Sequence, residues 1–173
     1  DIAMYKAKNP GSGFAIYNHK ADENSVMKLS LMGDLHKAIN NNELVLFYQP
    51  KITTDDLSII GFEALIRWNH PEHGLLPPNQ FLGIAEVSVL IKPLTLWVIE
   101  QAIKDLQIWQ EHSLLSSVAV NISARNIQDR DFKNSVLALF KKYKLDTNRV
   151  QMEITESAIM SDPEGSLHTI EAL

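Results

Sequence analysis

Gly61-Phe62-Glu63-Ala64-Leu65-Ile66-Arg67-Trp68 reads as a strand with two unlike faces. Successive side chains of a strand point to opposite sides, so Glu63, Leu65 and Arg67 share one face and Phe62, Ala64 and Ile66 the other. Two later stretches repeat the pattern. In Val118-Ala119-Val120-Asn121-Ile122-Ser123 the aliphatic side is Val118, Val120 and Ile122, with Asn121 and Ser123 opposite. From Val150 to Thr155, Val150, Met152 and Ile154 oppose Gln151, Glu153 and Thr155. Helical periodicities lie between these strands, and alternation of strand and helix is the signature of βα units built on a parallel sheet.

Working outward, Leu44 to Pro50 is strand-like and is separated from Ser58 to Trp68 by the turn Thr53-Thr54-Asp55-Asp56, which predicts an antiparallel pair. A helix precedes it, with Leu31, Leu35, Ala38 and Ile39 at helical spacing from Leu29 and a stop at Asn40-Asn41-Asn42. Pro77-Pro78 introduces a short helix through Leu82, Ala85 and Glu86, and Pro93 is expected at the first position of a longer one. That longer helix carries Leu94, Trp97, Val98, Gln101, Ala102, Leu106 and Trp109 on one stripe, which makes both tryptophans core residues. Another follows through Phe132, Val136, Leu139, Phe140 and Tyr143, and Leu167 with Ile170 marks a last partial helix. At the other end, Asp1 to Lys8 reads as the close of a helix, Asn9 to Gly13 as a turn, Phe14 to Tyr17 as a short strand, and Asn18 to Asn24 as a linker beside a domain boundary.

Composition narrows the function. The 173 residues are 45% hydrophobic, enough for one sizeable core. No apolar run approaches the roughly 20 residues of a membrane span, and the N-terminus lacks a signal-peptide layout, so a soluble, cytoplasmic segment without membrane contact is expected. With no cysteine, any metal must be held by oxygen or imidazole. A net charge of −5 without a Lys/Arg cluster argues against DNA or RNA as a partner. Lys141-Lys142 with Lys144 reads as a solvated helix end.

If helices cover the aliphatic faces, the polar faces point into a barrel interior. Glu63, Asn121 and Glu153 then converge. Ionised carboxylates in such a place need a partner or a cation, and two of them with an amide oxygen suit Mg²⁺ or Mn²⁺. Arg67 on the same face is placed for a phosphate, and the chemistry favoured is metal-assisted attack of water on a phosphodiester. Plainer readings stand beside this one. Glu63 could be a structural partner of Arg67, Asn121 a strand-end hydrogen-bonding residue, Glu156 a helix cap or surface charge, and His70 and His73 turn stabilisers rather than zinc ligands. Glu63 and Glu153 could also be the carboxylate pair of a glycosidase, but that leaves Asn121 and Arg67 without roles.

Gln49-Pro50, Glu63-Ala64-Leu65-Ile66-Arg67-Trp68, His70-Pro71 through Gly74 and Pro78, Asn121-Ile122-Ser123, and Glu153-Ile154-Thr155-Glu156-Ser157 together resemble, in order and spacing, the EAL domains that hydrolyse cyclic di-GMP. The resemblance runs from about Leu29 to the end. It implies a TIM-type (β/α) barrel with an antiparallel first strand, of which 29–173 is the N-terminal part and first half. It implies Glu63, Asn121 and Glu153 as ligands of Mg²⁺ or Mn²⁺, with Glu63, Glu153 and Glu156 in the catalytic set and Glu156 steadying a neighbouring loop. Gln49, Leu65 and Arg67 would seat cyclic di-GMP, hydrolysed to linear pGpG. Asp1-Ile2-Ala3-Met4-Tyr5-Lys6-Ala7-Lys8 resembles the closing helix of a GGDEF domain, so 1–28 is expected to be such a tail plus linker, in a parent that could be held at a membrane through other regions. Ser88-Val89 stands where the family usually has a small residue and glycine. The family's Asp-Asp-Phe-Gly segment and its later lysine, glutamate and glutamine are not reached by Leu173. The expectation is therefore negligible turnover by this chain alone and self-association through an unpaired last strand, as a homo-oligomer. The alternative within the family is a degenerate domain acting as a non-catalytic cyclic di-GMP receptor or scaffold.

Overall fold

The fold is seen in a computed structural model, which describes residues 30–114 and 116–154. Residues 30–38 form helix α1, which buries Leu31, Leu35 and Ala38 as their spacing predicts. Strands β1 (Leu44–Ile52) and β2 (Ile59–His70) pair antiparallel, from Leu44 opposite Trp68 to Lys51 opposite Gly61. The turn between them is built on Asp56, whose carboxylate accepts from the Thr53 hydroxyl and, at 3.0 Å, from the Ser58 N–H. Those donors hold its carboxyl down at about 2.

Strand β3 (Gly74–Leu76) folds back antiparallel onto Trp68–His70, the end of β2. Only a loop was predicted there, because Pro71 and Gly74 signal a turn and three residues are too few to show a period. His70 fastens that loop: its Nδ1 accepts from the N–H groups of Glu72 (3.1 Å) and His73 (3.3 Å). Gly74 sits at φ 68°, where a side chain would be strained.

Helices α2 (Pro78–Glu86) and α3 (Ile91–Glu111) come next, then β4 (Val118–Ile122), α4 (Ala124–Gln128), α5 (Phe132–Tyr143), a 3-10 turn (Thr147–Arg149) and β5 (Val150–Ile154). Pro78 opens α2 as expected. Pro93 is the third residue of α3 rather than the first; the first four N–H groups of a helix lack an intrahelical acceptor, so a proline fits there equally well. The sheet order is β1-β2-β4-β5, with β4 parallel to β2 and β5 parallel to β4. This is the opening half of a TIM-type (β/α) barrel whose first strand runs antiparallel.

The helices lie on one face of the sheet. Ala64, Ile66, Trp68, Val118, Val120 and Ile122 pack there with Leu35, Phe81, Leu94, Ile99, Leu106, Phe132 and Val136 in one core. Trp97 and Trp109 pack against it, and Trp109 meets Tyr48 and Phe62 edge to face. The Tyr48 hydroxyl donates to Asp105 at 2.6 Å; burial first, and then that carboxylate, push its phenol well above the usual range. Lys142 does more than face solvent, since it and the Tyr143 hydroxyl reach Glu100 on α3 at 2.7 and 2.6 Å. Gly61 is needed where β2 crosses the start of β4: a Cβ there would lie 2.8 Å from Ser117 Oγ and 3.1 Å from the Ser117 carbonyl.

Candidate metal and nucleotide site

Residues of the other parity line the opposite face. Pairing sets Gln49 opposite Glu63, Phe47 opposite Leu65, and Asn121 opposite Glu153. Asn121 Nδ2 donates to Glu63 Oε1 at 2.7 Å. Because a carboxylate only accepts, this bond fixes the amide orientation and leaves Asn121 Oδ1 as an acceptor without a partner among the described residues. Glu63, Asn121 and Glu153 therefore sit on three neighbouring strands with the amide in the middle, as period-two reading predicts.

Arg67 behaves differently from the plain pairing with Glu63. Its Nη1 donates to the Ile66 carbonyl at 2.9 Å and its guanidinium lies 5.5 Å from the Phe47 ring centroid. Arg67 thus stays on the polar face as a cation seated on an aromatic, while Glu63 takes Asn121 as its partner.

Sequence reasoning missed Lys51. Its Nζ lies 2.5 Å from Glu153 Oε1, across the sheet from β1 to β5. The signal was present, since Lys51 follows Gln49 by two residues and shares its face. The strand expected from the sequence ends at Pro50, one residue short of Lys51. A proline lacks the ladder donor but is tolerated on an edge strand, and β1 continues to Ile52.

Ser123 also departs from expectation. Strand β4 ends at Ile122, and Ser123 caps α4, accepting from the Asn126 N–H at 3.4 Å. A serine three residues before Asn126 was a readable capping signal, but α4 has only five residues and shows no helical period. Thr155 and Glu156 lie outside the described residues, as do residues 1–28, where a GGDEF-like tail is expected, and the last partial helix expected at Leu167 and Ile170.

The β2–β4 ladder stops at Ala64 opposite Val120. Beyond it the strands part, and a cavity of about 480 Å³ opens, lined by Leu65, Asn121 and Ser123 together with Ile66, Pro78, Leu82 and Leu94. Arg125 closes one side by donating to the carbonyls of Glu86 (2.7 Å) and Ser88 (3.0 Å). The Ser88 hydroxyl donates to Ala85 O and accepts from the Leu90 N–H, so this residue secures the loop between α2 and α3.

The donor set fits a hard divalent ion: two carboxylates, one of which already holds an ammonium, and an amide oxygen without a partner among the described residues. Among the described residues, no group of three or more His, Cys, Asp or Glu side chains is arranged to hold a metal ion.

The family model for the EAL domain matches residues 32–173. The chain belongs to the EAL domain family. Among its EAL relatives, the bifunctional diguanylate cyclase/cyclic di-GMP phosphodiesterase MucR of Pseudomonas aeruginosa is 36% identical over 100% of this chain and 26% of that protein. Cyclic di-GMP phosphodiesterase PdeR of Escherichia coli is 36% identical over 99% of this chain and 26% of its own length. The chain thus spans 26% of the length of these two relatives. Among solved structures, a PaMucR phosphodiesterase in complex with c-di-GMP superposes with a TM-score of 0.76 at 37% identity, covering 82% of this chain and 58% of that one. The EAL domain of Xanthomonas citri FimX, at 21% identity and a TM-score of 0.75 over 88% of this chain and 58% of its own, shares the fold. Among the described residues, no helix of this EAL chain is long and apolar enough to cross a membrane.

Proposed function

We propose that this chain is part of a cytoplasmic phosphodiesterase that hydrolyses cyclic di-GMP to linear pGpG, with residues 29–173 belonging to its EAL domain and residues 1–28 to the tail of a preceding GGDEF domain. The observation that carries this reading is the placement of Glu63, Asn121 and Glu153 on adjacent strands of one face, with Arg67 beside them. In this reading Glu63, Asn121 and Glu153 hold Mg²⁺ or Mn²⁺, and Glu156 belongs to the same catalytic set. The ion's contribution is Lewis-acid activation of water and of the phosphoryl oxygen.

Gln49, Leu65 and Arg67 seat the dinucleotide. Arg67, held on Phe47, presents its guanidinium to a phosphodiester, and the cavity walled by Leu65 takes a guanine base. Hydrolysis adds a water oxygen to phosphorus, breaks the P–O bond to the 3′ oxygen, and leaves the proton on that oxygen. The relatives MucR and PdeR, both cyclic di-GMP phosphodiesterases by name, support this substrate, and the bifunctional diguanylate cyclase/phosphodiesterase MucR supports a cyclase module upstream.

The test is incubation of the full-length protein with cyclic di-GMP, with and without Mg²⁺ or Mn²⁺, followed by separation of the products. Formation of pGpG only in the presence of the ion is the expected result. Tight binding without cleavage would replace the enzyme with a receptor.

A further inference from the structure

The cation bonded to a carboxylate of this site comes from β1. Lys51 Nζ stands 2.5 Å from Glu153 Oε1, although β1 and β5 lie at opposite ends of the strand order. Three strand spacings amount to roughly 14 Å across a flat sheet, so the two groups meet because the sheet curls toward this face. The floor beneath is small: Gly61 is paired with Lys51, and Ala119 lies on the same face between Glu63 and Gln151.

Both partners keep solvent contact, with side-chain exposures of 36% and 37%. Such a pair exchanges partners readily, unlike a fully buried one whose rupture strands a charge. Among the described residues of this face, Lys51 and Arg67 stand beside Glu63 and Glu153, so a divalent ion that takes over Glu153 leaves the Lys51 ammonium without its carboxylate and free for an anionic phosphodiester.

We infer that Lys51 is the resident counter-cation of Glu153: it neutralises that carboxylate in the metal-free protein, yields it to the divalent ion, and then turns its freed ammonium to a phosphate of the bound nucleotide. The inference rests on the proposed reading of Glu153 as a metal ligand. A lysine suits this exchange because its ammonium is a point charge on a flexible four-carbon stem, here carried opposite Gly61 on the last β1 residue before the register shifts between Lys51 and Ile52.

The experiment is Mn²⁺ titration of the full-length protein by electron paramagnetic resonance, in the wild type and in Lys51→Met, Lys51→Arg and Glu153→Gln. It is paired with binding of a slowly hydrolysed phosphorothioate analogue of the nucleotide at saturating Mn²⁺. Lys51→Met is expected to tighten Mn²⁺ roughly three- to tenfold, since the competing cation is gone, and to weaken the analogue by a similar factor. Lys51→Arg should restore both. A purely structural lysine gives the opposite sign, weaker Mn²⁺ in Lys51→Met because Glu153 loses its support; that result, or no change, overturns the inference. An analogue affinity unmoved in Lys51→Met overturns the phosphate contact. Glu153→Gln separates the two levels: if it leaves Mn²⁺ affinity intact, the metal reading itself fails, whereas a weakened Glu153→Gln beside an unchanged Lys51→Met removes only the role of Lys51.

Discussion

The two faces of this sheet share one backbone and follow different rules. On the helix side Val118 and Val120 are wholly buried, and the side chains are held by close packing. On the other side Glu63, Asn121 and Glu153 keep contact with water and are held by hydrogen bonds and opposite charge. Stability is therefore concentrated on one parity of each strand and the proposed chemistry on the other. A substitution should damage one property and spare the other according to whether its position is odd or even.

The largest effect expected from breaking this division is at Trp68, fully buried against Phe81 and His70. Trp68→Ala should cost roughly 3–5 kcal/mol in denaturant unfolding. Next, Glu63→Gln should lower metal-dependent hydrolysis by at least about a hundredfold, since even groups behind a ligand are worth 10–100-fold. Its unfolding midpoint should stay near that of the wild type; a large loss of stability there would show that the two faces are coupled. Gly61→Ala tests the seam between them, where the added methyl meets Ser117, and should destabilise by roughly 1–3 kcal/mol. Tyr48→Phe removes one half-buried hydrogen bond to Asp105 and should cost about 1 kcal/mol by calorimetry.

The smallest effect is a pH dependence at Glu100. Hydrogen bonds from Lys142 and then Tyr143 hold its carboxyl below the ordinary 4.5. With a lowered folded value the unfolded chain binds more protons, so the contact adds stability above that pH and loses it as the pH falls further. Glu100→Gln should flatten the acid side of the stability profile, measured by thermal unfolding across that window.

Much of this division is legible in the sequence because period-two alternation needs no knowledge of partners. Glu63, Asn121 and Glu153 could be assigned to one face from their own neighbours alone. What escaped depends on distant strands or on elements too short to show a period. Lys51 lies beyond a proline, and its partner is 102 residues away. Strand β3 and helix α4 are too short to show a repeat that could announce them, and the capping signal at Ser123 is followed by no helical period that would separate it from a strand end. Pro93 shows a similar limit, because a helix start tolerates proline at several positions and the residue type does not say which.

The antiparallel pairing of β1 with β2 bears on the order in which the barrel can assemble. Parallel neighbours such as β4 and β5 must wait for a helix to form and cross over before their ends meet. The hairpin needs only the short turn around Asp56, and pairings of that kind close in about 1–10 μs. Once closed, it already sets Gln49 opposite Glu63. The first wall of the proposed nucleotide site can thus be laid down as a local event, ahead of the slower long-range contacts that limit folding in sheets of this kind.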